Sequence, residues 1–230
     1  MTTQTISSYT AISSPIVLSV AETLEITAHG TVASTGAAAV YEKVSGVVLT
    51  NAGTITDSSG VGHDVNISGG GTVINSGVIA GNAFYGVHSF YGATIINNAG
   101  GTIAAGANYG AGVSLGYNKS GQVNSITNAG TIKVPTAKGF GIAVNDGGSG
   151  VGGVITNAAG GDIAGGNSSG GGHVGTGITI MAGAVTITND GTISGYAGVT
   201  VKSTDTLAQT IANAGSIESP YASVAAIQFG

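Results

Sequence analysis

The stretch ITNAGTI, residues 126–132, decides the fold, because close copies of it recur along the whole chain. Four further copies with an Asn/Gly centre are LTNAGTI (49–55), VINSGVI (73–79), ITNDGTI (187–193) and IANAGSI (211–217). A degenerate copy, ITAHGTV (26–32), has Ala28 where the others have Asn. Two more, INNAGGTI (96–103) and ITNAAGGDI (155–163), contain insertions of one and two residues. Eight copies at steps of 23 to 32 residues are typical of a solenoid, in which each repeat forms one structural unit.

Composition narrows the class of protein. The chain has 230 residues, of which 43 are Gly, 42% are hydrophobic and only 7% are charged, with a formal net charge of −5. Disordered chains combine low hydrophobicity with high charge, so this composition favours a folded protein. Five Lys and no Arg exclude the basic patch that a nucleic-acid partner requires. The absence of Cys excludes disulfides and thiolate metal sites.

Each period of the sequence holds three short strands. Two β-branched segments flank the Asn/Gly bend of each copy, and a second motif lies between copies: DVNI (64–67), GVSL (112–115), GIAV (141–144), GITI (177–180) and GVTV (198–201). No helical period of apolar residues is present, and the frequent Gly disfavours helices. Three strands and three bends per period predict an all-β fold, a parallel β-helix of about eight coils stacked about 4.8 Å apart.

The repeated Asn has a structural role in this prediction. Amide side chains on successive coils can donate and accept hydrogen bonds along the axis, as they do in stacked strands. The Gly that follows is predicted to supply a positive φ at the bend. The sequence therefore predicts an asparagine ladder, formed by Asn51, Asn75, Asn98, Asn128, Asn157, Asn189 and Asn213.

The repeated ITNAGTI followed by G-V/I-x-V/I resembles bacterial autotransporter passenger domains and filamentous-haemagglutinin-like proteins. The resemblance covers about residues 22–230 and implies a right-handed parallel β-helix that is secreted or displayed on the bacterial surface. Right-handed crossovers are also the strong default for parallel strands. The chain departs from the family in having no N-terminal signal peptide, and no apolar run of about 20 residues that could cross a membrane. Either the chain stays inside, or it is exported by a route read elsewhere, or it was cut from something longer.

The two ends of the chain are unlike its middle. Residues 1–21 are predicted to be an N-terminal cap and residues 22–230 the solenoid, because a proline and several charges lie near the first coil and discourage edge pairing. The C-terminal VAAIQFG is apolar and follows directly on the second motif. We therefore expect either a fragment of a longer rod, or a last coil that docks on a partner such as another copy of the chain.

Aromatic residues recur just before the second motif. The predicted row, at one corner of successive coils, comprises Tyr85, Tyr109, Phe140, Tyr196 and Tyr221. It is interpreted first as packing area, and alternatively as a platform for sugars, helped by the dense run AFYGVHSFYG (83–92). Candidate contacts to a surface glycan or a protein receptor are Tyr85, His88, Tyr91 and Tyr109. His88 is predicted to face outward, aligned with Asn66 and Ser114.

The residues give little support to catalysis. Asp162 and Asp190 come closest to a carboxylate pair, separated by very roughly 8 Å in the predicted stacking, a spacing that inverting glycosidases use. No recognisable motif surrounds them, and the four His occupy unrelated repeat positions, so no catalytic, cofactor or metal site is predicted. The sequence thus predicts a non-catalytic structural β-solenoid for adhesion, display or filament building. The alternative is a β-helix that binds or degrades carbohydrate.

Overall fold

The computed structural model describes residues 2–7, 11–106, 110–116, 122–135, 138–145, 151–168, 175–202, 204–205 and 207–230. Over these residues the regular structure is entirely β, with 27 strands numbered β1 to β27 along the chain. The strands form three parallel sheets of nine strands each, and every third strand belongs to the same sheet. The predicted all-β parallel solenoid is confirmed, with one strand per sheet in each turn.

Sheet A contains the strand that leads into each Asn/Gly bend. The strands pair in the order of the chain, and their members are β1 (Thr2–Ile6), β4 (Glu22–Ile26), β7 (Val48–Asn51), β10 (Thr72–Asn75), β13 (Thr94–Asn97), β16 (Asn124–Asn128), β19 (Val151–Asn157), β22 (Ala184–Asn189) and β25 (Thr210–Asn213).

Sheet B contains the short strand that follows the bend. Its members are β2 (Ala11–Ile12), β5 (Thr31–Ser34), β8 (Thr54–Asp57), β11 (Val78–Ala80), β14 (Thr102–Ala104), β17 (Thr131–Lys133), β20 (Asp162–Ala164), β23 (Thr192–Ser194) and β26 (Ser216–Glu218).

Sheet C contains the second sequence motif. Its members are β3 (Ile16–Leu18), β6 (Ala38–Glu42), β9 (His63–Ile67), β12 (Tyr85–Ser89), β15 (Ala111–Leu115), β18 (Phe140–Asn145), β21 (Thr176–Ala182), β24 (Ala197–Val201) and β27 (Ile227–Phe229).

The eight sequence copies account for eight turns, from β4 to β27. The described part of residues 1–21, the predicted cap, adds one further strand to each sheet: β1 pairs with β4, β2 with β5 and β3 with β6. This segment is therefore built as a turn of the same solenoid. The described residues contain no helix able to span a membrane.

The core is a set of apolar columns that run along the axis. Strand alternation turns every second side chain inward, and the in-step pairing of neighbouring turns stacks like positions on one another. In sheet A the buried column is Leu24, Leu49, Val73, Ile95, Ile126, Ile155 and Ile187. Sheets B and C supply equivalent columns of Ile and Val, for example Ile55, Ile79 and Ile103. Burying each such side chain contributes about 1.5–3 kcal/mol.

An asparagine ladder runs through the corner between sheets A and B. From Asn51 to Asn189, each ladder Nδ2 donates to the Oδ1 of the next turn's Asn at 2.7–2.8 Å, in the order Asn51, Asn75, Asn97, Asn128, Asn157, Asn189 and Asn213. The same amide reaches two backbone carbonyls; for Asn128 these are Gly130 O at 3.1 Å and Asp162 O at 3.2 Å. The first six of these side chains are completely buried. From Asn51 to Asn189, each turn thus satisfies its buried amide with the same residue of the next turn.

Two assignments within the repeat are corrected by the register. Asn97, not Asn98, pairs with Asn75 and Asn128, while the Asn98 amide lies outside the ladder and donates to Ser76 Oγ at 2.9 Å. Asn97 lies five positions before Thr102, whereas Asn75 lies three positions before its counterpart Val78. This copy therefore has two extra residues, and both follow the ladder position. In the degenerate copy, Ile26 and not Ala28 pairs with Asn51, so an apolar side chain ends the ladder.

The Gly of the motif is required for a different reason from the one predicted. Positive φ occurs at Gly100 and Gly160, in the two copies with insertions, but not at Gly53, Gly77 or Gly130. At those three positions a Cβ would lie 2.2–2.3 Å from the carbonyl oxygen of the corresponding Gly one turn earlier. Close approach of two backbones, rather than backbone conformation, therefore selects Gly at this corner.

Candidate functional site

The outer face of sheet C has a cavity of about 240 Å³ over strands β12, β15, β18 and β21. The register explains its shape. One outward row runs from Tyr85 through Ala111 to Phe140, and the next runs from His88 through Ser114 to Ala143. The small Ala111 thus lies between Tyr85 and Phe140 in the first row, and the small Ser114 and Ala143 follow His88 in the second row. We call this depression the sheet C cavity; its walls include Tyr85, His88, Phe90, Phe140 and Met181, and Ser114 and Ala143 form its floor.

Four rings pack together at one wall of the cavity. His63, Tyr85 and His88 are mutually stacked, with centroids 5.3 Å (His63 to Tyr85), 4.8 Å (His63 to His88) and 4.9 Å (Tyr85 to His88) apart. Phe90 meets His88 edge to face at 4.3 Å. The packing holds these side chains in place, so the wall is pre-formed.

The wall carries no charge at neutral pH. His88 is only 7% exposed, and burial lowers the pKa of its ring to about 3, with a smaller contribution from the neighbouring His63. Burial also lowers the pKa of His63. The Tyr85 pKa is raised by burial and lowered to a smaller extent by a side-chain hydrogen bond with Ser114. Both imidazoles therefore remain neutral, and the hydroxyl groups of Tyr85 and Ser114 meet at the floor.

A pair of buried carboxylates lies at the corner between sheets B and C, next to His63. The Asp57 backbone N–H donates to Asp64 Oδ1 at 2.5 Å, and Asp57 Oδ1 accepts from the Ser59 backbone N–H at 2.8 Å. Oδ2 of each Asp is buried and has no hydrogen-bond partner among the described residues. Burial raises the pKa of Asp64 to about 8, and the nearby Asp57 charge adds to the rise.

A third carboxyl is buried in the core where strand β6 of sheet C ends. Glu42 stands in an inward column between Leu18 and Ile67, and its Oε1 has no partner among the described residues. Burial raises its pKa to about 8. Glu42 and Asp64 therefore both favour the protonated form near neutral pH.

The candidate contact residues predicted from the sequence are only partly brought together. Tyr85 and His88 line the cavity, and His88 is aligned with Asn66 and Ser114 as predicted. Tyr91 is half-buried and is not among the residues that line the cavity. Tyr109 lies outside the described residues.

The predicted aromatic row is not continuous. Tyr85 and Phe140 share a row, but Ala111 separates them, and the row continues through Thr176 to Ala197 rather than to Tyr196. Tyr196 instead packs on Tyr221, with centroids 5.1 Å apart, in the last turns. Sequence reasoning also missed Phe90, Ser114 and Met181 as lining residues. The sequence predicts the alignment of His88 with Ser114, and extending the same count to GIAV (141–144) would have added Ala143.

The other carboxylate pair considered from the sequence is not a pair in the structure. Asp162 begins β20, where its pKa is raised by burial, lowered by Lys133 and raised again by Glu218. The charges that act on it therefore come from Lys133 and Glu218, while Asp190 is an exposed residue of a turn. In the described part of the chain, no three His, Asp or Glu side chains are arranged to hold a metal ion.

A second depression, of about 290 Å³, lies on the same face over the first turns and is lined by Val17, Tyr41 and Asn66, among others. It differs from the sheet C cavity in having a cation beside its aromatic residue, with Lys43 Nζ 5.2 Å from the Tyr41 ring centroid.

Comparison with protein-family models, curated protein sequences and solved structures gives no match to this chain.

Proposed function

We propose that this chain is a non-catalytic structural rod of a bacterial surface or secreted protein, used for adhesion, display or matrix building. The observation that supports the proposal is the use made of the repeated polar residue. From Asn51 to Asn189, the Asn of each repeat is buried and hydrogen-bonded to the corresponding Asn of the next turn, so the repeat encodes axial stacking. Each additional copy lengthens the solenoid without changing its cross-section.

The sides of the solenoid fit this role. Parallel pairing on both edges of every internal strand leaves free strand edges only at the terminal turns, which limits lateral aggregation. One outward row of sheet A is largely short and β-branched, and from β7 to β25 it carries no charge; its members are Thr50, Ile74, Ile96, Thr127, Thr156, Thr188 and Ala212.

The proposal is tested in cells of the organism that encodes the chain. Antibodies against the purified protein should label intact cells, or detect the protein in the culture medium. Labelling that requires permeabilised cells, together with an empty medium fraction, would overturn a surface or secreted role.

Self-association through the last turn is part of the proposal. The described turn β25–β27 has half-buried Ile217 and Ile227, and Phe229 is 72% exposed. Light scattering over a range of concentrations, with negative-stain microscopy of the same samples, should show rods that lengthen with concentration.

Ile227→Lys should prevent this growth, since a charge would enter the apolar contact. Gln228→Lys is the matched control, because it adds the same charge at the neighbouring position, which faces outward beside Thr200. Equal growth of both variants would remove self-association from the proposal. If the wild type stays monomeric, the proposed function is limited to display or adhesion.

A further inference from the structure

We propose that the sheet C cavity binds one neutral sugar ring of a glycan, with its aromatic walls packing on the ring and its polar groups meeting the hydroxyls. This binding activity goes beyond the structural rod. The ligand class is assigned to a cavity that forms where the outward residues of sheet C differ from one turn to the next.

The cavity is built by a local departure from the repeat. Tyr85 and Phe140 stand in one outward row, two strand spacings or about 10 Å apart, and between them the row has only Ala111. The neighbouring row changes from His88 to Ser114 and Ala143 over the same turns. A ring can therefore enter between two aromatic side chains that the backbone holds at a constant separation.

The size selects a small ligand. Pockets for drug-sized molecules measure roughly 300–1,000 Å³, whereas this cavity measures about 240 Å³. One six-membered ring with its substituents fits such a volume, and a dinucleotide or a folded peptide loop does not. A longer glycan would reach the cavity with one residue only.

The electrostatics select a neutral ligand. Among the described residues, the lining contains no Asp, Glu, Lys or Arg side chain, and His88 is neutral because burial lowers its pKa to about 3. A carboxylate or phosphate that entered would lose its hydration without gaining an opposite charge, which is strongly unfavourable. Uronic acids, sialic acids and nucleotides are therefore disfavoured.

The mixture of groups distinguishes a sugar from a purely apolar ring. Tyr85, Phe90 and Phe140 are partly exposed and offer ring surface, while the hydroxyls of Tyr85 and Ser114 and the Asn145 amide offer hydrogen bonds. A pyranose presents C–H groups on its faces and hydroxyls around its edge, so it matches both kinds of surface. Aromatic residues with a polar group are suited to such partly wet contacts.

The experiment uses the two methionines of the chain, Met1 and Met181, of which Met181 lines the cavity. The protein is labelled with methyl-¹³C methionine and titrated with the methyl pyranosides of glucose, galactose, mannose and N-acetylglucosamine. At least one of them should shift the Met181 methyl resonance saturably and leave that of Met1 unchanged. Methyl glucuronide should bind at least about tenfold more weakly, which corresponds to about 1.4 kcal/mol.

Two variants locate the binding. Ser114→Ile fills the floor of the cavity with a strand-compatible residue and should weaken binding by at least about tenfold. Thr200→Ile makes the same kind of change two strands beyond Ala143 in the same outward row, outside the cavity, and should leave binding unchanged. Circular dichroism and thermal unfolding check that both variants fold.

Several results would overturn the proposal. They are the absence of a saturable Met181 shift with every neutral glycoside, equal weakening by Thr200→Ile, and tighter binding of methyl glucuronide than of the neutral glycosides. A Met181 shift with p-cresol but with no glycoside would show a site for planar apolar rings instead. The Met181 titration of the wild type decides the matter even if Ser114→Ile does not fold.

Discussion

The corner between sheets A and B buries the same amide in six successive turns, whereas the corner between sheets B and C buries a pair of carboxyl groups within a single turn. Each ladder Asn finds its partner in the adjacent turn, so its buried amide is hydrogen-bonded. Asp64 has no such copy; the residues at its position in the following turns are Gly86 and Gly112. One oxygen of Asp64 consequently remains without a partner among the described residues, and burial raises its pKa.

The difference shows that repetition lowers the free-energy cost of burying a polar residue. A self-complementary side chain that recurs at every turn satisfies its own hydrogen bonds, and burial then strengthens the network. A titratable group that occurs once in the same kind of corner has to be neutralised or remain unsatisfied. The first corner should therefore stabilise the rod at every pH, and the second should make its stability depend on pH.

The largest effect is expected from crowding the ladder corner. Gly130→Ala would place a Cβ 2.3 Å from Gly101 O and force two stacked turns apart. The free energy of unfolding should fall by about 4 kcal/mol, measured by chemical denaturation. Gly100→Ala is the control, since no atom lies within 4 Å of its added Cβ and only a positive φ opposes it, at about 1 kcal/mol. Equal losses in both variants would show that close approach is not the reason for Gly130.

A smaller loss is expected when one amide leaves the ladder. Asn97→Ala removes the acceptor of Asn75 and the donor to Asn128 inside a closed corner, and should lower the free energy of unfolding by about 3 kcal/mol. Denaturation at pH 5 and at pH 8 should give the same loss, because no titratable group is involved. A loss at only one of these pH values would contradict the pH-independent role of this corner.

The second corner and Glu42 are tested by pH. Carboxyl groups whose folded pKa is raised to about 8 bind more protons in the folded than in the unfolded chain between about pH 4 and pH 8. Their contribution to stability is therefore complete below the unfolded pKa and is lost as the pH rises, at up to about 1.4 kcal/mol per pH unit for each group. Denaturation monitored by circular dichroism should show the wild type becoming less stable from pH 6.5 to pH 8. Below pH 6.5 the buried His63 and His88, whose pKa values are lowered, act in the opposite direction.

Asp64→Asn should flatten this pH dependence and raise the stability at pH 8 by about 2 kcal/mol, with little gain at pH 4. Glu42→Gln should act in the same direction at a separate place in the core. Asp190→Asn, at an exposed turn, is the matched control and should leave the pH dependence unchanged. A wild type whose stability rises from pH 6.5 to pH 8 would show that these carboxyls are ionised in the folded rod.

The smallest effect is expected from the neighbour of the ladder. Asn98→Ala removes one solvent-exposed hydrogen bond, to Ser76 Oγ, and should change the stability by less than about 0.5 kcal/mol. The same denaturation assay that is applied to Asn97→Ala gives the comparison. A larger loss from Asn98→Ala than from Asn97→Ala would move the ladder back to the position predicted from the sequence.

The sequence by itself determined the architecture of this protein, since identical local signals recur often enough to identify strands, bends and stacking. Apolar alternation predicted the inward columns, and the recurring Asn predicted a ladder of amides, because both follow from a repeat that has to stack on its own copy. The choice of Asn97 over Asn98, of Ile26 over Ala28, and of close approach over positive φ at Gly130 needed the register between turns. Insertions of two residues, which follow Ile26, Asn97 and Asn157, shift that register, and sequence similarity does not locate them.

Only the tertiary structure decided what the non-repeated residues do. Tyr85, Ser114 and Phe140 lie on different turns, and Asp57 and Asp64 on different sheets, so their proximity depends on the stacking and on the corner geometry. Local sequence encodes which face a side chain points to, because strand alternation is a property of one chain segment. It does not encode which large or small residue stands one turn away, and that neighbour decides where the outer face is hollow, as in the sheet C cavity.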